Sequence, residues 1–118
     1  MSAKNNPSEN CAAFENFKKL DIRVGTVLEA VPARDLHRPA HRLRIDFGSV
    51  GVKKSSAQIT DRYSAEDLVG MQVVAVVNFP PKQIGKFMSE CLVLGIPEAG
   101  GVILLTAERT VTNGEKVS

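Results

Sequence analysis

The chain has 118 residues, a net charge of +2, 43% hydrophobic and 24% charged residues. It has room for one domain, and its composition is close to the globular average, which excludes extended disorder and a membrane-inserted protein as expectations. No apolar run approaches the ~20 residues that cross a bilayer, and the polar start, Met1 to Asn10, lacks the apolar stretch of a signal peptide. Cys11 and Cys91 form no metal or redox spacing, so the expected compartment is the reducing cytoplasm.

Residues 1–12 read as a flexible N-terminal tail and residues 13–118 as one domain. Ala12 to Leu20 predicts a short helix, with Phe14, Phe17 and Leu20 at three-residue spacing. Ile22 to Val31 predicts a strand with Ile22, Val24, Thr26, Leu28 and Ala30 on one face, bent at Gly25 and ended by Pro32. A basic loop, Ala33 to Ala40, leads to the clearest strand, His41 to Phe47. There Leu43, Ile45 and Phe47 alternate with Arg42, Arg44 and Asp46, so one face is core and the other charged.

After the turn at Gly48–Gly51, Val52 to Ile59 predicts a more polar strand that makes a hairpin with the one before it. Ser64 with Asp67 three residues later is a capping-box pattern, and Gly70 stops that helical turn. Met71 to Val77 predicts a strand apolar on both faces, which must be covered by the chain itself or by a second subunit. Asn78 to Ser89 reads as a Pro- and Gly-punctuated crossing, and Cys91 to Gly95 and Val102 to Thr106 as two further apolar strands. Short strands with one helical turn between them predict an all-β fold with short helices. Its form is an OB-type five-stranded β-barrel with extra terminal strands.

Catalytic constellations are missing. His37 and His41 are four apart with Pro39 between them, so both read as loop positions without a third ligand, and no metal site is expected. No base is spaced to serve Ser55, Ser56 or Cys11, and the glycines form no phosphate loop or dinucleotide fingerprint. The chain is therefore read as a binding protein rather than an enzyme, with no catalytic residue and no cofactor. Charge distribution points the same way. Between Arg34 and Lys54 lie six basic residues (Arg34, Arg38, Arg42, Arg44, Lys53, Lys54) against Asp35 and Asp46, a patch suited to nucleic acid or an acidic protein segment. Strand alternation sends Lys53 and Lys54 to opposite faces. Arg23 has Asp21 and Asp46 as possible structural partners.

Three segments in order carry a resemblance. Phe17-Lys18-Lys19-Leu20-Asp21-Ile22-Arg23-Val24-Gly25 is similar to the opening of the tRNA-binding domain family, an OB-fold module; Asn78-Phe79-Pro80-Pro81 and Ser89-Glu90 resemble its second signature. Asp46-Phe47-Gly48, Ser55-Ser56-Ala57-Gln58-Ile59-Thr60 and Val76-Val77-Asn78-Phe79-Pro80-Pro81-Lys82 resemble the CsaA branch, which consists of protein-export chaperones. The resemblance spans about residues 14–118. It implies a homodimer that binds unfolded preproteins through apolar pockets bordered by positive charge. As the alternative, it implies a module for tRNA recognised by shape and backbone. The protein translocation machinery is a further partner under the first reading. An auxiliary domain of a larger synthetase ranks third, because no linker extends from the sequence.

Departures from the pattern favour the chaperone reading. The Gly-Met pair that usually follows the family's serine is replaced here, where Ser89-Glu90 leads into Cys91-Leu92, and Gly85 falls one place early with Lys86 in its slot. One Tyr, five Phe and no Trp leave few platforms for stacking bases. The expected peptide-binding residues are Phe79, Ile84, Phe87 and Met88, held on an exposed segment by Pro80 and Pro81. The expected basic patch, for peptide or tRNA, is Arg42, Arg44, Lys53, Lys54, Lys82 and Lys86. Asn78 and Ser89 are motif positions, and Asn78 is expected to shape the turn before the prolines.

Overall fold

The computed structural model describes residues 10–118; of the tail expected over 1–12, residues 1–9 lie outside the described residues. Five antiparallel strands form the central sheet in the order β3-β2-β1-β4-β7: β1 Ile22–Ala33, β2 Ala40–Asp46, β3 Val52–Ala57, β4 Gln72–Val76 and β7 Leu92–Val93. The sheet curls into a half-barrel of the OB type. Its edges, β3 and β7, are linked through residues 89–91: the Glu90 amide donates to the Lys54 carbonyl at 2.7 Å, and Ser55 Oγ donates to the Cys91 carbonyl at 3.0 Å. Two small hairpins complete the strands, β5 Lys82–Ile84 with β6 Phe87–Ser89 and β8 Gly95–Ile96 with β9 Ile103–Leu104.

The alternation along β2 holds as read. Leu43, Ile45 and Phe47 are fully buried and anchor the main core with Val27, Leu68, Val73 and Ala75. Gly25 is required by close approach: a Cβ there would meet Ile45 Cγ2 and Phe47 Cδ1, both at 2.7 Å. The capping box also forms, as Ser64 Oγ accepts from the Asp67 amide at 3.2 Å and Asp67 Oδ2 accepts from the Ser64 amide at 3.1 Å, starting α2 (Ala65–Leu68).

Five local expectations are corrected. The register of β1 shifts between Val27 and Glu29, so Leu28 is an extra, unpaired residue. Ile22 and Val24 keep one face while Ala30 turns to the main core. Pro32 does not end β1, which runs on to Ala33 paired with β2. Since β4 pairs only with Ile22–Thr26, the proline faces an open edge where its missing N–H costs little. His41 is a buried β2 residue whose Nε2–H donates to the Tyr63 carbonyl at 2.7 Å, so its ring is core packing and not loop. The segment read as a crossing is the β5–β6 hairpin, and the two late apolar strands are shorter than expected.

The doubly apolar β4 is covered by its own chain. Val73 and Ala75 face the main core; Val74 and Val76 form a second cluster with Ile22 and Val24, closed by Leu20, Leu94 and Val111. The last segment runs beside β1, with the Gly114 amide donating to the Val24 carbonyl at 2.7 Å and the Val117 amide to the Ile22 carbonyl at 2.8 Å. Arg23 takes the structural pairing, its Nε 2.6 Å from Asp21 Oδ1 and its Nη1 2.9 Å from the Gly114 carbonyl.

Helix α1 (Phe14–Lys19) buries none of its own residues. It is tied to the sheet at its C-terminus by Asn78, whose Nδ2 donates to the Lys19 carbonyl at 2.7 Å and whose Oδ1 accepts from the Asp21 amide at 2.8 Å. The motif asparagine is thus a clamp on a segment nearly sixty residues away, more than a shaper of its own turn. Asn78→Ala is expected to cost about 1 kcal/mol, since both freed groups can reach water. Faster hydrogen exchange at the Asp21 amide, with exchange in β2 unchanged, is the check.

Candidate functional site

The β5–β6 hairpin arches over the outer face of β2 and β3. Its turn is Gly85–Lys86, where only Gly85 has a positive φ (+63°), matching the glycine that a type II′ turn wants at its first central position. The tip rests on the β1–β2 loop: a Cβ on Gly85 would meet Leu36 Cδ2 at 2.6 Å. At its base Ser89 Oγ accepts from the Ser56 amide at 3.1 Å and donates to the Cys91 carbonyl at 3.3 Å. Ser89 therefore fixes the hairpin to β3 and is buried in doing so.

Cross-strand pairing sorts the hairpin side chains. Lys82 pairs with Ser89 and Ile84 with Phe87, while Gln83 pairs with Met88 on the other face. The inward set borders two clefts. The first, about 290 Å³, is lined by Phe79, Pro80, Ile84, Cys91 and Leu92, with Lys82, Ser56 and Ser89 as its polar members. The second, about 300 Å³, lies over the sheet and is lined by Val31, Arg42, Arg44, Lys54, Phe87 and Glu29, with Leu43 at its floor.

The twelve residues singled out in the sequence therefore divide. Phe79, Ile84 and Lys82 share the apolar cleft. Phe87 joins Arg42, Arg44 and Lys54 in the basic one, with the Arg42 guanidinium carbon and Lys54 Nζ each 5.2 Å from its ring centroid. Met88 points away from both clefts, exposed on the outer face of the hairpin. Lys86 sits at the turn, where its charge reaches Asp35. Lys53 pairs with Ile45 on the opposite face from Lys54, as alternation predicted, and lines neither cleft. Asn78 and Ser89 hold backbone.

Sequence reading missed Asp35, whose Oδ2 accepts from Arg42 Nη2 at 3.0 Å; this hydrogen bond holds its carboxyl below the usual range. The seven-residue gap across a hairpin loop was the available signal. Missed also were Glu29, Val31, Cys91 and Leu92, which reach the clefts through pairing between distant segments. Burial pushes the Cys91 thiol up to about 11, so this wall of the apolar cleft is a neutral, unreactive thiol at physiological pH. No group of three or more metal-ligating side chains clusters among the described residues, and no helix among them is long and apolar enough to cross a membrane.

A curled antiparallel half-barrel carrying an apolar cleft beside a cationic one describes a macromolecule-binding module. The family described as "Putative tRNA binding domain" matches residues 22–116, and the chain belongs to that family. Within it the chain is of the CsaA type. It is 56% identical to a Bacillus anthracis structure of the chaperone CsaA, with a TM-score of 0.86 over 91% of this chain and 98% of that one. A CsaA chaperone protein from Picrophilus torridus is 44% identical with the same TM-score, over 91% and 99% of the two chains. Among curated relatives, a Porphyromonas gingivalis methionine–tRNA ligase is 44% identical over 101 residues, 81% of this chain. The chain spans only 14% of that ligase's length.

Proposed function

We propose that this chain is a cytoplasmic chaperone that holds unfolded preproteins in the cleft under the β5–β6 hairpin, without nucleotide, before their transfer to the translocation machinery. The observation that carries the reading is the apolar cleft itself, walled by Phe79, Pro80, Ile84 and Leu92 with Lys82 at its border. It occurs in a domain similar along nearly its whole length to a chaperone CsaA. A cleft at the small end of the roughly 300–1,000 Å³ range of ligand sites accepts side chains of an extended segment and no folded surface. Apolar contacts of this size are individually weak, so capture is reversible without an energy source.

A second reading, tRNA binding, is favoured by the family match and the ligase relatives, and by Arg42, Arg44 and Lys54 on one face. Titration with an unfolded preprotein and with total tRNA at two salt concentrations separates the two. Three phosphate contacts would weaken tRNA binding on the order of 40-fold between about 50 and 200 mM salt, whereas apolar capture changes little. The expected result is preprotein binding that persists at high salt and is unaffected by ATP. Binding of tRNA alone would overturn it.

The chaperone works as a homodimer in this proposal. Because β4 is covered within the chain, the support lies instead in the late strands, where the cross-strand partners Ile96 and Ile103 are both exposed, along with Leu92 and Leu105. Sedimentation at low micromolar concentration is expected to give twice the chain mass; a folded monomer would refute this part.

A further inference from the structure

The two clefts share one wall. Ile84 lines the apolar cleft, Phe87 lines the cationic cleft, and the two residues are direct partners across the hairpin, which sets the roots of their side chains ~5 Å apart. The cationic cleft holds charge that the chain does not neutralise. Arg42 is paired with Asp35, but Arg44 and Lys54 take part in none of the ion pairs among the described residues. They are also directly opposite each other on β2 and β3, an arrangement of like charges that destabilises a sheet unless an anion comes between them. Glu29, across from Arg44 on β1, is the one carboxylate in the lining, against three cations.

We propose that the paired clefts read an extended client segment in register, with an apolar side chain in the Phe79 cleft and a carboxylate side chain two residues away between Arg44 and Lys54. This rests on the chaperone reading and deepens it by naming the segments preferred: apolar residues flanked by Asp or Glu. Residues i and i+2 of an extended peptide lie on one face, roughly 6.5–7 Å apart, a step of the same order as the ~5 Å between the roots of the cross-strand pair at which the two clefts meet. Hydrocarbon in one cleft and charge in its neighbour is a combination that a polypeptide supplies and a phosphodiester backbone does not. The one aromatic ring in the cationic cleft is already engaged by Arg42 and Lys54, which leaves no free platform for a base within that cleft.

The test uses three short unstructured peptides around a central Leu, labelled for fluorescence anisotropy: Glu two residues to either side, Gln in those positions, and Glu moved to the adjacent positions. The wild type should bind the first about fivefold tighter than the other two at low salt, and salt should erase the difference. In the Arg44→Gln/Lys54→Gln protein, confirmed folded by circular dichroism, the three peptides should bind alike at the level of the Gln peptide. Equal binding of all three by the wild type overturns the register, and a preference that survives in the double variant overturns the site. If none binds, the chaperone reading itself has failed. If the wild type shows no preference and the double variant loses only tRNA affinity, the cation pair serves RNA and this proposal is wrong.

Discussion

Phe79→Ala is expected to weaken capture of an unfolded client by roughly 5- to 150-fold, the equivalent of about 1–3 kcal/mol for an aromatic anchor in a pocket. The ring is 43% exposed and belongs to neither core cluster, so its loss removes binding surface without hollowing the fold. Phe87→Ala is expected to weaken capture less. Its ring lies under Arg42 and Lys54, so truncation frees two cations and leaves the apolar cleft intact. Arg42→Ala with Arg44→Ala should slow association and weaken binding modestly, because charges at the rim act chiefly on the encounter. Anisotropy against one preprotein ranks the variants; a Phe79→Ala protein that binds like the wild type removes the cleft as the binding site.

The largest effect on stability is expected at Phe47. Its side chain is fully buried and fills the space that Gly25 leaves between β1 and β2. Phe47→Ala should cost about 3–5 kcal/mol, a large part of the roughly 5–15 kcal/mol that holds a domain together. Gly25→Ala acts on the same contact from the other side. Its new methyl would press on Ile45, Phe47 and the Asp46 carbonyl at 2.7–2.8 Å, costing about 1–3 kcal/mol. Urea unfolding should show lower midpoints with unchanged slopes for both. A loss below about 1 kcal/mol for Phe47→Ala would contradict the packing described.

The β2 core face and the Ser64 cap were legible because their signals lie within one element: strict alternation in the first case, a four-residue pattern in the second. The bulge at Leu28 was not, since an apolar residue there continues the alternation it in fact breaks. The hairpin at 82–89 escaped because its strands have three residues each and its turn is Gly-Lys, weaker than the Asn-Gly pair that announces a hairpin. The candidate site shows the same limit. Phe79 and Ile84, read together as apolar positions, do line one cleft, which also takes in Lys82 from the expected basic patch; alternation turns Met88 to the other face, and Phe87, though it shares the face of Ile84, reaches the neighbouring cleft. The far walls, Glu29, Val31, Cys91 and Leu92, depend on how β1, β3 and the 89–91 segment lie together, which is a property of long-range pairing.

The late arrival of residues 114–117 beside Ile22 and Val24 has a consequence for synthesis. Strand β1 keeps one edge open along Ile22–Val24 until residues 114–117 have been made, since β2 pairs with β1 only from Thr26 onward. An open strand edge recruits other strands, and contacts between distant residues form slowly. On the proposed reading, a chaperone for unfolded segments thus spends its own synthesis exposed to the hazard it guards against. Shortening the segment after Val111 would prolong that exposure in every copy made.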